Sequence, residues 1–168
     1  MKASLQPPDS HHLQAAQGWI ELGNPQEANK ELDGIRPSLQ TQHPEVLKVR
    51  WTIYVQTKQF QSALEVAKNL SALIPDEAGT WVMLANSLYY LGRMQEAYDC
   101  AADALTRFPQ DATLHYDLAC YACYLGKVED ASKLLHRSFE LDSGKALRLH
   151  ALEDPDLKPL WEGIGNLD

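Results

Sequence analysis

The chain has 168 residues, of which 45% are hydrophobic and 23% are charged, a composition typical of a folded domain. Its formal net charge is −8, and the excess lies in the second half: residues 76–168 carry sixteen acidic and eight basic side chains, whereas residues 1–75 carry seven of each. Nucleic acids and anionic membranes are bound through Lys and Arg, so neither is an expected partner. A basic or neutral protein partner is favoured.

The beginning of the chain and its cysteines indicate a cytoplasmic protein. No run of about 18 apolar residues occurs that could span a bilayer. The start, MKASLQPPDSHH, has one lysine and no apolar stretch, unlike a secretory signal peptide. Cys100, Cys120 and Cys123 fit no disulfide framework, which is typical of a reducing compartment. Residues 1–9, which include two prolines, are expected to be a disordered tail.

One seven-residue motif recurs along the chain. LGNPQEA ends at Ala28, LGRMQEA at Ala97 and LGKVEDA at Ala131, and a weaker copy, TKQFQSA, ends at Ala63. The steps between these alanines are 35, 34 and 34 residues. A regular spacing of this length is typical of stacked helical repeats.

The unit around the third copy shows what one repeat contains. Its first half has an apolar stripe at i, i+3, i+4 and i+7, formed by Trp81, Leu84, Ala85 and Leu88. Gly92 can end this helix in the left-handed conformation. A second apolar pattern runs over residues 94–108, and Pro109 stops it. We predict two helices packed as an antiparallel hairpin, in which small residues such as Ala97 allow the axes to approach closely.

This unit resembles the tetratricopeptide repeat, whose 34-residue pattern has W-x2-L-G-x2-Y, then A-x3-F, then P. The matching residues are Trp81, Leu84, Ala85, Leu88, Ala97, Ala101 and Pro109. The other units match less fully, and Arg50 and Asp142 are departures from the pattern. The resemblance implies an all-α fold, a right-handed α-solenoid of antiparallel helix pairs. Its four repeats would span about residues 10–43, 44–77, 78–111 and 112–142.

Residues 143–168 are not a further copy. They predict a capping helix from about Lys145 to Glu153, with an apolar side that covers the last repeat. The segment DPDLKPLW then predicts a tight turn and a short final piece, in which Leu157, Leu160 and Trp161 fold back on that helix.

The resemblance implies that partners bind in a concave groove lined by the first helix of each pair. The row beside the packed stripe on these helices supplies the candidate binding residues: Lys48, Thr52, Val55, Val82, Asn86, Tyr89, Tyr90, Tyr116, Cys120 and Tyr124. On the first helix the row is continued by Leu13, Gln17 and Ile20. Tyrosine combines a large contact area with a hydrogen-bonding tip. The same tyrosines can also serve as fillers between neighbouring repeats.

The sequence therefore predicts a non-catalytic module that binds a protein or peptide, with no cofactor and no metal. An alternative is a chaperone for bacterial secretion substrates. No Ser-His-Asp, P-loop or H-E-x-x-H pattern is present. Cys120 and Cys123 form a C-x-x-C, but it lies in the middle of a predicted helix, away from the helix start that would lower a thiol pKa.

One known use of the family is excluded by the residues present. Repeats that hold the acidic tails of heat-shock chaperones use a clamp of Lys, Asn and Arg side chains along three first helices. Lys48 would fit such a clamp. The other four positions do not, because they hold Thr52, Met83, Thr113 and Asp117.

Overall fold

The computed structural model describes residues 5–142 and 146–164, and within these ranges it contains helices and no strand. The expected all-α class is thereby confirmed. The helices are α1 (Asp9–Glu21), α2 (Pro25–Asp33), α3 (Pro37–Gln42), α4 (Pro44–Gln56), α5 (Phe60–Leu73), α6 (Ala78–Tyr90), α7 (Met94–Arg107), α8 (Ala112–Tyr124), α9 (Val128–Leu141), α10 (Ala146–Ala151), a 3₁₀ helix (Pro155–Leu160) and α11 (Trp161–Ile164). None of the helices in these ranges is long and apolar enough to cross a membrane.

The chain divides into two compact units, unit 1 (Met1–Pro75) and unit 2 (Asp76–Asp168). Unit 1 contains the hairpins α1–α2 and α4–α5, and unit 2 contains α6–α7 and α8–α9. Each hairpin has a three-residue connection whose middle residue has a positive φ: Gly23, Lys58, Gly92 and Gly126. In the second hairpin, for example, the amide of Gln59 donates to the carbonyl of Tyr54, 2.7 Å away. This bond, from the connection back to the last turn of the helix, satisfies a carbonyl that the helix leaves open.

The beginning of unit 1 makes contacts with the rest of the unit through Leu5 and Asp9. Asp9 belongs to α1, and its carboxylate accepts hydrogen bonds from the backbone amide of Arg36 at 2.9 Å and from its Nε at 2.6 Å. These bonds lower the pKa of the Asp9 carboxyl. Leu5 packs against the core of the unit. Both residues fall within the tail that the sequence expected to be disordered, and residues 1–4 lie outside the described ranges.

Helix α3 was not predicted. It helps to explain why Arg50 can stand where the repeat pattern has an apolar or small residue. The Nη1 atom of Arg50 lies 2.9 Å from Oδ1 of Asn29 and 3.1 Å from Oδ1 of Asp33, both on α2. Its Nη2 donates to Oε1 of Gln40 on α3. Only 12% of the Arg50 side chain is exposed. A charged residue is tolerated at this packing position because three polar side chains surround its guanidinium.

In unit 2, small residues set the distance between helices. Ala85 on α6, Ala97 and Ala101 on α7, and Ala131 on α9 are fully buried. Their short side chains let the paired helices approach closely, as the repeat pattern predicted.

The end of the chain forms short elements that belong to unit 2. The capping helix is observed as α10, which is shorter than the predicted helix; Lys145 lies outside the described residues. Asp142, at the place of the missing closing proline, accepts a hydrogen bond from the amide of Leu147 at 2.8 Å. The 3₁₀ helix that follows packs against α8 and α9.

Candidate functional site

Four of the predicted binding residues form a row on unit 2, which we call the tyrosine row: Asn86 and Tyr89 on α6, and Tyr116 and Cys120 on α8. Residues three or four apart on a helix lie on the same side, so each helix contributes two neighbouring side chains. Helices α6 and α8 are in contact and are the first helices of successive hairpins. Their side chains therefore form one continuous surface.

The tyrosine row is occupied by residues 154–160 of the same chain, which we call the C-terminal turn. The hydroxyl of Tyr89 donates to Oδ2 of Asp156 at 2.5 Å. The hydroxyl of Tyr116 donates to Oδ2 of Asp154 at 2.8 Å, and the Cys120 thiol lies 3.7 Å from the same oxygen. Hydrogen bonds from hydroxyls to carboxylates are short and strong because the acceptor is charged.

The C-terminal turn holds its own shape. The Oδ1 atom of Asp154 accepts from the amide of Asp156 at 3.0 Å, which caps the 3₁₀ helix, and Pro155 occupies its first position. Leu157 is fully buried, with 0% of its surface exposed. The indole of Trp161 donates to the carbonyls of Ala151 and Asp154, which ties the turn to α10. The turn thus presents two carboxylates to the row on one side and buries a leucine.

A second hydrogen-bond chain lies beside the row. The hydroxyl of Tyr121 donates to Oδ1 of Asn86 at 2.9 Å, and Nδ2 of Asn86 donates to Oδ2 of Asp117 at 3.0 Å. Burial raises the pKa of the Asp117 carboxyl to about 7, against the effect of the Asn86 bond, and the nearby carboxylates of Asp111 and Asp154 raise it further. Asn86 is therefore positioned by neighbours on both sides.

The ionisable side chains of the row are held in their neutral forms. Burial, together with the bonds to Asp156 and Asp154, raises the pKa of the hydroxyls of Tyr89 and Tyr116. Burial also raises the pKa of the thiols of Cys120 and Cys123. A thiolate is the reactive form of cysteine, so these thiols are not activated. The row can donate hydrogen bonds but is not built for nucleophilic chemistry.

The predicted residues outside the tyrosine row lie in more open places. In unit 1, Nζ of Lys48 is 3.1 Å from Oε1 of Glu45, and the hydroxyl of Thr52 donates to the carbonyl of Lys48. Val55 and Val82 are half-buried. In unit 2, Tyr90 is exposed, and Tyr124 is 67% exposed.

Unit 1 has an open cavity on the surface formed by its own first helices, α1 and α4. Its volume is about 380 Å³, and it is lined by Gln17, Ile20, Glu21, Val49 and Thr52. Three of these residues belong to the row that the sequence predicted: Gln17, Ile20 and Thr52.

The sequence did not predict that the chain would cover part of its own row. Tyr116 is 5% exposed and Cys120 is 6% exposed, so neither presents the open surface that was expected. The missed partners are Asp154 and Asp156, together with Asp117 and Tyr121 beside the row. The sequence feature that could have drawn attention to these aspartates is the segment DPD, because an aspartate before a proline favours a capped turn.

Within the described residues, no group of three His, Cys, Asp or Glu side chains could hold a metal ion. The three cysteines are free thiols. Burial raises the pKa of the Cys100 thiol to about 11.

The chain is similar to several solved structures over most of its length. A thermophilic TPR protein of Thermus thermophilus superposes with a TM-score of 0.76 at 22% identity, covering 95% of this chain and 84% of that one. MamA superposes with a TM-score of 0.70 at 16% identity, covering 83% and 81%. Another structure of MamA gives a TM-score of 0.64 at 22% identity, covering 82% and 79%. The chain has the tetratricopeptide-repeat fold.

No family model matches the chain, and no curated protein matches it. The likeness to solved structures therefore establishes the tetratricopeptide-repeat fold and leaves the role to be argued from the site. The repeats of this fold leave extended helical surfaces exposed along the stack. In this fold the tyrosine row and the unit 1 cavity both lie on first helices.

Proposed function

We propose that the chain is a non-catalytic interaction module that binds a segment of another protein on the first-helix surfaces of its tetratricopeptide repeats. One observation supports this above all: the tyrosine row holds a non-repeat segment, the C-terminal turn, through side-chain hydrogen bonds. A surface that holds one short segment in this way has the chemistry needed to hold another.

The unit 1 cavity offers room for such a segment. Ile20 and Val49 give it apolar walls, whereas Gln17, Glu21 and Thr52 give it polar groups. These residues offer a bound segment both apolar contacts and hydrogen-bond partners. The candidate residues Lys48 and Val55 lie on the same helix as Thr52, and we propose that they extend this site.

The charge of the chain acts differently at long and short range. The excess of acidic side chains in residues 76–168 favours a basic or neutral partner during approach. At short range the tyrosine hydroxyls are hydrogen-bond donors, and donors bind carboxylates. We place the protein in the cytoplasm, where its three free thiols would stay reduced.

Site-specific photocrosslinking in the source cell tests the proposed binding surface. A benzoylphenylalanine residue is placed at Gln17 on α1 or at Tyr124 on α8, both exposed on first helices. The matched controls are Glu65 on α5 and Asp130 on α9, which are exposed on second helices. We expect a crosslinked partner from the first-helix positions and little or none from the controls.

Equal crosslinking from both sets of positions would contradict the proposed surface. Among the described residues, no contact distinguishes the alternative of a chaperone for bacterial secretion substrates. That alternative requires that co-expression with this protein keeps a secreted substrate soluble.

A further inference from the structure

The tyrosine row recognises a particular arrangement of carboxylates. Asp154 and Asp156 are two residues apart, and each accepts a hydrogen bond from a tyrosine on a different helix. The Cys120 thiol is directed at the same oxygen of Asp154 as Tyr116. These donors are hydroxyls and a thiol. They are not the Lys, Asn and Arg side chains of the clamp that holds chaperone tails, which this sequence lacks. They fix both the spacing and the orientation of the two acids.

Leu157 adds an apolar anchor to this arrangement. It is fully buried, whereas Pro155, Lys158 and Pro159 around it are exposed. Three side chains of the C-terminal turn therefore carry its contacts, in the pattern Asp-x-Asp-Leu. The cap from Asp154 and the fixed φ of Pro155 preform the turn, which lowers the entropy lost when such a segment binds.

The elements on either side of the C-terminal turn are short. Helix α10 before it has six residues and helix α11 after it has four. A cavity of about 410 Å³ lies between α9 and the end of the turn, lined on one side by Leu135 and Phe139 and on the other by Pro159 and Leu160. The separation of short terminal elements from a folded unit is a local opening, which costs less free energy than global unfolding.

The acidic neighbours add a reason for release. Asp154 lies near Asp117 in a partly buried setting, and the interaction between the two carboxyls is unfavourable when both are ionised. Residues 154–160 therefore bind through specific donors and an anchor, against a local electrostatic cost.

We propose that the tyrosine row is a binding site for acidic protein segments with the pattern Asp-x-Asp-Leu, and that the C-terminal turn occupies it as an intramolecular competitor. This inference rests on the proposed function, since it names the partner chemistry and the regulation of one first-helix surface. A partner binds only when the turn leaves, so its apparent affinity falls by the fraction of molecules in which the row is closed. The tether gives the turn a high effective concentration, which only a well-matched segment overcomes.

A labelled peptide with the sequence of residues 152–163, LEDPDLKPLWEG, tests the proposal by fluorescence anisotropy on the full chain. The opened variant is Asp154→Asn with Asp156→Asn, which weakens the competitor and leaves the row intact. We expect the opened variant to bind the peptide at least about tenfold more tightly than the wild type. A variant with Glu153→Gln, at an exposed neighbouring acid, should bind like the wild type.

Two further binding measurements test the aspartates of the peptide and the tyrosine hydroxyls of the row. A peptide with both aspartates changed to asparagine should lose at least about tenfold in affinity for the opened variant, because it no longer offers charged acceptors. Adding Tyr89→Phe and Tyr116→Phe to the opened variant should cause a similar loss. Because peptide and protein are both acidic, binding should not weaken as the salt concentration rises.

Equal binding of the peptide to the wild type and to a folded opened variant would overturn the proposal. If circular dichroism shows that the opened variant has lost helix, the wild type carries the test. An excess of unlabelled peptide should then shift the indole NMR signal of Trp161 in the isotope-labelled wild type, because the indole is bonded to the turn and its surroundings change when the turn leaves the row. An unchanged signal at saturating peptide would overturn the proposal.

Two other results bear on what occupies the row. A dimer of the wild type that forms with rising concentration, with no peptide binding to the monomer, would overturn the proposal because a second copy would be the occupant. Partner crosslinking from Gln17 and Tyr124 without any peptide binding would leave the proposed function standing and remove this inference alone.

Discussion

Lys58 occupies the left-handed turn position that Gly92 occupies in the next hairpin, with a φ of 58° against 73°. Both residues follow the last turn of a first helix and precede the residue whose amide closes the connection. A side chain in this conformation costs about 1 kcal/mol or more, which glycine avoids. The weaker copy of the repeated motif, TKQFQSA, therefore forms the same turn as the other copies, at a conformational cost.

The substitution Lys58→Gly should stabilise unit 1. We expect a gain of about 0.5–1 kcal/mol in the free energy of unfolding, because relief of the left-handed strain exceeds the added entropy of the unfolded chain. Urea unfolding followed by circular dichroism measures it. The reverse change, Gly92→Ala, should cost about 1 kcal/mol, since a methyl group there meets no atom within 4 Å and only the backbone is strained. A loss of stability in the Lys58→Gly variant would contradict the turn geometry.

The substitution Ala97→Leu should destabilise the hairpin α6–α7. Ala97 has no exposed surface, so the added carbons must push the two helices apart, at a cost of about 1–3 kcal/mol. Thermal and urea unfolding measure the change. The matched control is Asp103→Leu, at an exposed position on the same helix, which adds volume without overpacking. If both variants unfolded like the wild type, close packing at Ala97 would not be needed.

The fold was predictable from the sequence because its determinants are local and repeated. The alanines at the close contacts, the glycines of the turns and the proline that ends a helix each act within about ten residues of chain. The close helix contact at Ala97 and the turn at Gly92 could therefore be predicted from the neighbouring sequence alone. Helix α3 was missed because its six residues are too few to show a helical period.

The candidate site was only partly predictable. The row on α6 and α8 follows from helical periodicity, so Asn86, Tyr89, Tyr116 and Cys120 could be named in advance. Their partners Asp154 and Asp156 lie far along the chain outside the repeats, and no periodicity relates the two regions. This contact depends on the path that the chain takes after the last repeat, and the hydrophobic pattern alone does not encode that path.

Removal of the Arg50 guanidinium should destabilise unit 1. The variant Arg50→Ala leaves Asn29, Asp33 and Gln40 without their shared donor, and we expect a loss of about 1–3 kcal/mol in the free energy of unfolding. Arg50→Lys should recover only part of this, because one ammonium cannot reproduce the forked geometry of the guanidinium. Urea unfolding of both variants provides the comparison. Full recovery with lysine would show that charge alone matters at this position.

The pH dependence of stability should change when Asp117 is replaced by asparagine. In the unfolded chain this carboxyl ionises near its ordinary pKa of 3.8, whereas in the folded protein its pKa is about 7. Between these values the folded state binds more protons, so the contribution of Asp117 to stability is fully present below about pH 4. It is lost as the pH rises to about 7. The substituted asparagine cannot ionise, and its amide oxygen can still accept the bond from Asn86.

The Asp117→Asn variant should therefore gain stability relative to the wild type as the pH rises. We expect a gain of about 1–3 kcal/mol between pH 4 and pH 8, less than the full pKa shift would give because Asp117 is partly exposed. Urea unfolding at pH 4, 5.5 and 8 measures the difference between the two proteins. Asp103→Asn, an exposed change on α7, should track the wild type at every pH. If the Asp117→Asn variant did the same, the carboxyl of Asp117 would have to ionise equally well in the folded and unfolded states, and the charge strain beside the tyrosine row would be absent.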